Sequence, residues 1–160
     1  MQVDVTAILD LASSELEFFR SLKKLILRSA DLIESENMEE LMLILEEKQT
    51  VISRYEVILG EWNDIGLSLG IKVGCEDPDF RMLLFQSMPN ESPEEIAFIA
   101  KLKSLFEQIK TIIDESISVE DNSQELLDEY VKKLRARISQ VSKGRNACKG
   151  YASASGSSIH

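Results

Sequence analysis

Two long stretches of the sequence, residues 1–59 and 94–143, contain neither glycine nor proline. These two residues interrupt helices most readily, so each stretch can form long, continuous secondary structure. All three prolines and four of the seven glycines lie between residues 60 and 93. Low Gly and Pro together with 20 Leu and 19 Glu favour helices over a turn-rich β fold.

The spacing of apolar residues predicts four helices, at about residues 4–34, 38–70, 78–88 and 93–143. In the first helix the apolar residues recur every three or four positions, which is the period of an amphipathic helix. They are Ile8, Ala12, Leu16, Phe19, Leu22, Ile26, Ala30 and Ile33. Asn37 and Ser92 are predicted to be the N-caps of the second and fourth helices, each with a Glu three residues later.

The second and fourth helices carry seven-residue spacings that are typical of a coiled-coil seam, the line of residues facing a partner helix. In the second helix the seam is Leu41, Lys48, Tyr55, Trp62 and Leu69. In the fourth helix it is Ile99, Phe106, Ile113, Glu120, Leu127, Leu134 and Val141. The seam of the fourth helix becomes polar over residues 119–124. We predict one continuous helix there, and a break near Ser118 is the alternative.

These patterns predict an all-α fold, an elongated antiparallel helical bundle with coiled-coil-like long helices and a long C-terminal helix. The length of 160 residues is typical of one domain, which we place at residues 1–149. Residues 150–160 are small and polar, and we expect them to form a flexible tail.

The residues offer little support for catalysis. The only histidine is His160, which excludes His-based triads and the Glu-x-x-His pairs of di-iron bundles. Adjacent glutamates such as Glu94 and Glu95 point about 100° apart on a helix, so they do not grip one metal ion together. We therefore predict that the protein is not an enzyme and has no catalytic residue, metal or cofactor.

The two cysteines, Cys75 and Cys148, are 73 positions apart and have no metal-binding spacing. We interpret them as free thiols in a reducing compartment. The sequence begins without a basic, apolar secretory signal, and it has no apolar run of about 18 residues. These features predict a cytoplasmic protein without stable membrane insertion.

The charge of the chain is divided along its length. The net charge is −10, which argues against a nucleic-acid binder. Residues 131–160, however, hold seven bases and no acid, whereas residues 1–130 hold 11 bases and 28 acids. The bases flank Val131, Leu134, Ile138 and Val141, which makes this segment a basic amphipathic helix. A partner protein or an acidic face of the same chain is the favoured contact, and a membrane surface or nucleic acid is the alternative.

Tyr55 and Trp62 lie one heptad apart on the seam of the second helix. Large aromatic residues at this spacing belong to a core in most helical proteins. The alternative is that their rings widen a groove that another helix enters.

Three sequence stretches, taken in order, resemble the FlgN family of flagellar export chaperones. Leu45-Glu46-Glu47-Lys48-Gln49 followed by Ile52-Ser53-Arg54-Tyr55 resembles the family's second helix. Asp121-Asn122-Ser123-Gln124-Glu125-Leu126-Leu127 is similar to its asparagine-bearing segment. Lys149-Gly150-Tyr151, with Gly156 downstream, resembles its C-terminal tail.

The resemblance implies a bacterial cytoplasmic chaperone that binds the C-terminal helical region of hook–filament junction proteins before type III export. The residues implied in client binding are Leu127, Val131, Leu134, Ile138 and Val141. The resemblance also implies that Tyr151 docks at a component of the export gate. A weak homodimer is compatible with this interpretation.

Two other interpretations remain open from the residues alone. In the first, the long seams are filled by identical subunits, and the protein is a self-associating coiled-coil adaptor or structural protein without a client. In the second, the basic helix binds a membrane surface or RNA, and that binding falls steeply with salt.

Overall fold

The computed structural model describes residues 4–157, and it describes side chains from residue 4 to residue 145. Within these residues the protein has four helices and no strand, so the predicted all-α fold is confirmed. The helices are α1 (Val5–Glu34), α2 (Met38–Ser68), α3 (Phe80–Gln86) and α4 (Pro93–Ser157). The chain divides into two compact units, Met1–Glu120 and Asp121–His160.

The first unit is built around a hairpin of α1 and α2. Asp4 caps α1 by accepting a hydrogen bond from the Ala7 N–H at 3.0 Å. Glu36 adopts a left-handed φ of 57° in the connection after α1. Asn37 then caps α2 through its side chain, which accepts a hydrogen bond from the Glu40 N–H at 3.4 Å. The prediction of Asn37 as an N-cap is confirmed.

The core of this unit draws on all four helices. The apolar stripe predicted for α1 supplies Ile8, Ala12 and Leu16, and α3 supplies Phe80 and Leu84. The first part of α4 adds Phe98, Leu102, Phe106 and Ile109. Each fully buried Leu, Ile or Phe contributes about 1.5–3 kcal/mol, so this cluster dominates the stability of the unit.

The two charged positions of the predicted seams pair with each other. Lys48 lies on the seam of α2 and Glu120 on the seam of α4, and their side chains form an ion pair. A second ion pair joins Lys23 on α1 to Glu115 on α4. The charged residues that interrupt the two apolar seams therefore have opposite signs and pair within the first unit.

The connection from α2 to α3 differs from the sequence prediction. The predicted helix at residues 78–88 is shorter, Phe80–Gln86. Asp77 forms a turn ahead of α3: its side chain accepts from the Asp79 N–H at 2.9 Å, and its carbonyl accepts from the Phe80 N–H at 3.0 Å. The left-handed Gly70, with a φ of 76°, follows the end of α2.

The start of α4 matches the prediction, and its end lies further along the chain. Ser92 and Glu95 form a reciprocal capping box, with hydrogen bonds of 3.0 and 3.1 Å. The helix crosses residues 119–124 without a break, so the predicted continuous helix is confirmed.

The end of α4 predicted at residue 143 is wrong, because the helix continues to Ser157. A single glycine costs about 1 kcal/mol in a helix, which is not enough to end one, and no proline follows Pro93. The flexibility of residues 150–160 stays a prediction, and residues 158–160 lie outside the described residues. The prediction of one domain over residues 1–149 also stays a prediction, since α4 is continuous across the boundary between the two units.

Candidate functional site

The five residues that the resemblance implies in client binding all lie on α4, in the second unit. Leu127 and Val131 are half-buried. Leu134, Ile138 and Val141 are exposed, with 36%, 66% and 58% of their surface accessible. Their spacing of three and four residues places them on one face of the helix. The second unit therefore presents a line of apolar side chains to solvent.

Basic residues flank this apolar line on both sides. Lys132, Lys133, Arg135 and Arg137 are exposed, and Lys143 and Arg145 follow. No acidic residue lies between Val131 and Arg145. The part of α4 with described side chains is therefore amphipathic and strongly basic over its last four turns.

Tyr151, the predicted gate-docking residue, lies within α4, but its side chain is outside the described residues. The same holds for Cys148. Cys75 in the first unit is a free thiol, as expected, and its Sγ donates a hydrogen bond to the Leu59 carbonyl at 3.4 Å. Burial raises the pKa of this thiol, which lowers its thiolate fraction at neutral pH.

Tyr55 and Trp62 contact α1, which agrees with the interpretation of these residues as core. Trp62 is buried, and Tyr55 is half-buried. The Tyr55 ring stacks on Phe18 at a centroid distance of 4.9 Å and meets Phe19 edge-on at 5.2 Å. The rings therefore join α1 to α2.

A buried carboxylate connects the same two helices. Glu15 on α1 is 3% exposed. The Tyr55 hydroxyl donates to its Oε1 at 2.8 Å, and the Trp62 Nε1–H donates to its Oε2 at 2.8 Å. Buried carboxylates are rare without such partners, because their desolvation costs several kcal/mol.

The Glu15 carboxylate changes the chemistry of its neighbour. Burial raises the pKa of Tyr55 well above its ordinary value, and the negative charge and hydrogen bond of Glu15 raise it further. Tyr55 therefore remains a neutral hydrogen-bond donor throughout the physiological pH range.

A small cavity of about 60 Å³ adjoins this network. Its walls include the carboxylate, four aromatic rings and one guanidinium. These belong to Glu15, Tyr55, Trp62, Phe80, Phe106 and Arg81. The Arg81 guanidinium lies over the face of the Phe106 ring, 4.2 Å from its centroid.

Glu15 could not be predicted from the apolar pattern of α1, because that pattern contains no charged residue. One signal was present. Glu15 lies three residues after Ala12 and four before Phe19, which are both on the predicted apolar face. A charged residue at that position indicates a buried polar contact, and the seam residues Tyr55 and Trp62 carry the donors that such a contact requires.

Two absences hold for the residues that the structure describes. No cluster of three or more His, Cys, Asp or Glu side chains is arranged to hold a metal ion there. In the same part of the chain, no helix has both the length and the apolar character that crossing a membrane requires.

Comparison of the chain with protein-family models, with curated proteins and with solved structures found no match.

Proposed function

We propose that this protein is a cytoplasmic export chaperone of the FlgN kind. It binds the C-terminal helical region of hook–filament junction proteins and delivers them to the flagellar type III export gate. The client lies along Leu127, Val131, Leu134, Ile138 and Val141, and Tyr151 docks at the gate.

One observation carries the proposal. Leu134, Ile138 and Val141 form an exposed apolar line on a helix whose flanks are basic. An amphipathic client helix can bury its own apolar face on this line, while acidic side chains on its flanks pair with the bases. Buried apolar anchors at the centre of such a contact supply most of the affinity, and the charged rim supplies orientation and salt dependence.

The test uses the full-length protein and a purified hook–filament junction protein in a titration that measures affinity. Leu134→Asp and Ile138→Asp each place a charge in the apolar line, and we expect each to weaken binding at least about thirtyfold. Ala136→Asp is the matched control, because it introduces the same charge on the opposite face of α4. Undiminished binding in both Leu134→Asp and Ile138→Asp, with helicity intact, would place the client surface elsewhere.

Gate docking is tested separately from client binding. Tyr151→Ala should leave the affinity for the client unchanged and reduce export of the junction protein from cells. Tyr151→Phe should preserve export if the aromatic ring makes the contact. Normal export in the Tyr151→Ala strain would remove Tyr151 from the site.

Self-association is the second candidate function, and a second group of exposed apolar residues favours it. Met42, Leu43 and Val57 on α2 are each at least 60% exposed. Light scattering over a range of protein concentrations separates the two functions. A tight homodimer that the Leu43→Asp change dissociates would favour the coiled-coil adaptor. A monomer that binds the junction protein would favour the chaperone.

A further inference from the structure

The Glu15 carboxylate is buried without a cation at ion-pair distance. Both of its described hydrogen-bond partners, the Tyr55 hydroxyl and the Trp62 indole, are neutral donors. Among the side chains that the structure describes, no Lys or Arg nitrogen lies within 4.0 Å of Glu15. Each carboxylate oxygen can accept two hydrogen bonds, so both retain acceptor capacity.

The cavity next to Glu15 has walls suited to a positive charge. The Trp62 and Phe106 rings lie 5.7 Å apart at their centroids, and Trp62 and Phe80 lie 6.5 Å apart. The faces of aromatic rings carry negative potential and attract ammonium and guanidinium groups. A buried carboxylate beside several aromatic rings is therefore complementary to an organic cation.

The Arg81 side chain shows that one of these rings accepts a cation. Its guanidinium lies 4.2 Å from the Phe106 centroid and adjoins the same cavity. Arg81 is exposed, so it can turn into solvent at little cost. It is both a neighbouring positive charge and a competitor for the Phe106 face.

We propose that this cavity binds a primary ammonium group, with Glu15 as its counter-ion and the aromatic rings as its walls. The cavity volume of about 60 Å³ leaves room for an ammonium head group with its first methylene, since one water needs roughly 10–15 Å³ on the same measure. The ammonium comes from a small alkylamine or from a lysine side chain. The site uses no residue of the proposed client surface, so a negative result for one proposal does not affect the other.

Trp62 makes the site directly observable, because it is the only tryptophan and its indole donates to Glu15. The full-length protein is titrated with ethylammonium chloride while tryptophan fluorescence is recorded at constant ionic strength. We expect a saturable change in intensity or emission maximum. Ethanol and tetramethylammonium chloride are matched probes, since one lacks the charge and the other lacks N–H donors. A linear, non-saturating response to ethylammonium, or an equal response to all three probes, would overturn the proposal.

Two variants should move the affinity in opposite directions. Arg81→Gln removes the competing cation and should tighten ethylammonium binding about threefold, the size of an exposed cation–π contact. Glu15→Gln removes the counter-ion and should weaken binding at least about tenfold. Lys110→Gln is the control, because it removes an exposed charge that does not line the cavity.

If circular dichroism shows that Glu15→Gln does not fold, the Arg81→Gln variant alone tests whether the cavity binds an ammonium group. Unchanged or weaker ethylammonium binding in Arg81→Gln would contradict the proposal. Titration with N-acetyl-lysine methylamide then identifies the source of the ammonium. Tighter binding than ethylammonium assigns the site to a lysine side chain of a polypeptide, and weaker binding assigns it to a free small amine.

Discussion

Glu15 is the residue whose environment differs most from what its chemistry favours. A carboxylate in the core costs several kcal/mol of desolvation, and the Tyr55 and Trp62 donors offset that cost. Because both donors lie on α2, the contact also specifies how α1 and α2 align along their lengths. An apolar residue at position 15 would bury more apolar surface, but it would leave two donors without an acceptor.

Replacing Glu15 tests this balance. We expect Glu15→Ala to lower the free energy of unfolding by about 2–4 kcal/mol, since two hydrogen bonds to a charged group are lost and two buried donors are left unpaired. Urea unfolding followed by circular dichroism gives the value. Glu17→Ala is the matched control, because Glu17 is an exposed residue on the same helix with only a surface ion pair to Arg20. Equal effects of the two substitutions would mean that the buried network contributes no stability.

Tyr55 supplies a pH dependence with a defined sign. Its pKa is raised in the folded protein, so the unfolded chain loses this proton first as pH rises. The stability contribution is fully present below the ordinary tyrosine pKa of about 10 and is lost progressively above it. We expect Tyr55→Phe to be less sensitive than the wild type to pH between about 9 and 11 in urea unfolding. Tyr130→Phe is the control, and a wild-type slope in Tyr55→Phe would argue against this role.

At the level of elements, the starts of α2 and α4 follow local sequence closely, whereas the start of α3 and the end of α4 do not. The Ser92 and Glu95 side chains begin α4 through two hydrogen bonds that the sequence pattern predicts. Glu95 has a lowered pKa chiefly because the backbone N–H of Ser92 donates to its carboxylate. The Glu95 carboxylate therefore contributes to folding stability at neutral pH, and this contribution is lost as the pH falls through the pKa of Glu95 in the folded protein.

Two glycines in α2 should respond in opposite ways to the same substitution. A Cβ added at Gly66 would lie 2.7 Å from Cε2 of Phe80, whereas a Cβ at Gly60 would meet nothing within 4 Å. We expect Gly60→Ala to stabilise the protein by about 0.5–1 kcal/mol through helix propensity. Gly66→Ala should destabilise it by about 1–3 kcal/mol, because Phe80 must move within a packed core. The midpoints of thermal or urea unfolding measure both, and a stabilised Gly66→Ala variant would contradict the close contact.

For the molecule as a whole, burial is concentrated in the first unit. Leu102 and Ile109 on α4 have no accessible surface, whereas the residues from Lys132 to Arg145 are exposed. Tertiary packing stabilises most helices in proteins, so a helix segment with exposed side chains opens more easily than a buried one.

Hydrogen exchange should therefore vary along the single helix α4. We expect the amides of residues 100–110 to exchange at the slowest rate and those of residues 131–145 to exchange at least about a hundredfold faster. Mass spectrometry of peptides from the exchanged protein resolves the two segments. Adding a junction protein should slow exchange in residues 131–145 and leave residues 100–110 unchanged. Equal protection along the helix without a partner would contradict the prediction.

Local patterns in the sequence were sufficient for the helices, two of their N-caps and part of the apolar core. Period and capping chemistry act over a few residues, which is why the Asn37 and Ser92 caps and the α1 stripe could be predicted. The heptad spacing predicts that Lys48 and Glu120 lie on the two seams. It does not predict that they form an ion pair, because the two residues are 72 positions apart in sequence. The end of α4 was also missed, since a glycine weakens a helix without ending it.

The sequence by itself determined the all-α class, the order of the helices and the division of charge between the first 130 residues and the last 30. These properties follow from composition and from contacts between near neighbours. Only the tertiary structure placed Glu15 against Tyr55 and Trp62, closed a cavity beside them and put Arg81 over Phe106. Those arrangements depend on which helices meet and in which alignment, and packing of the whole core decides both.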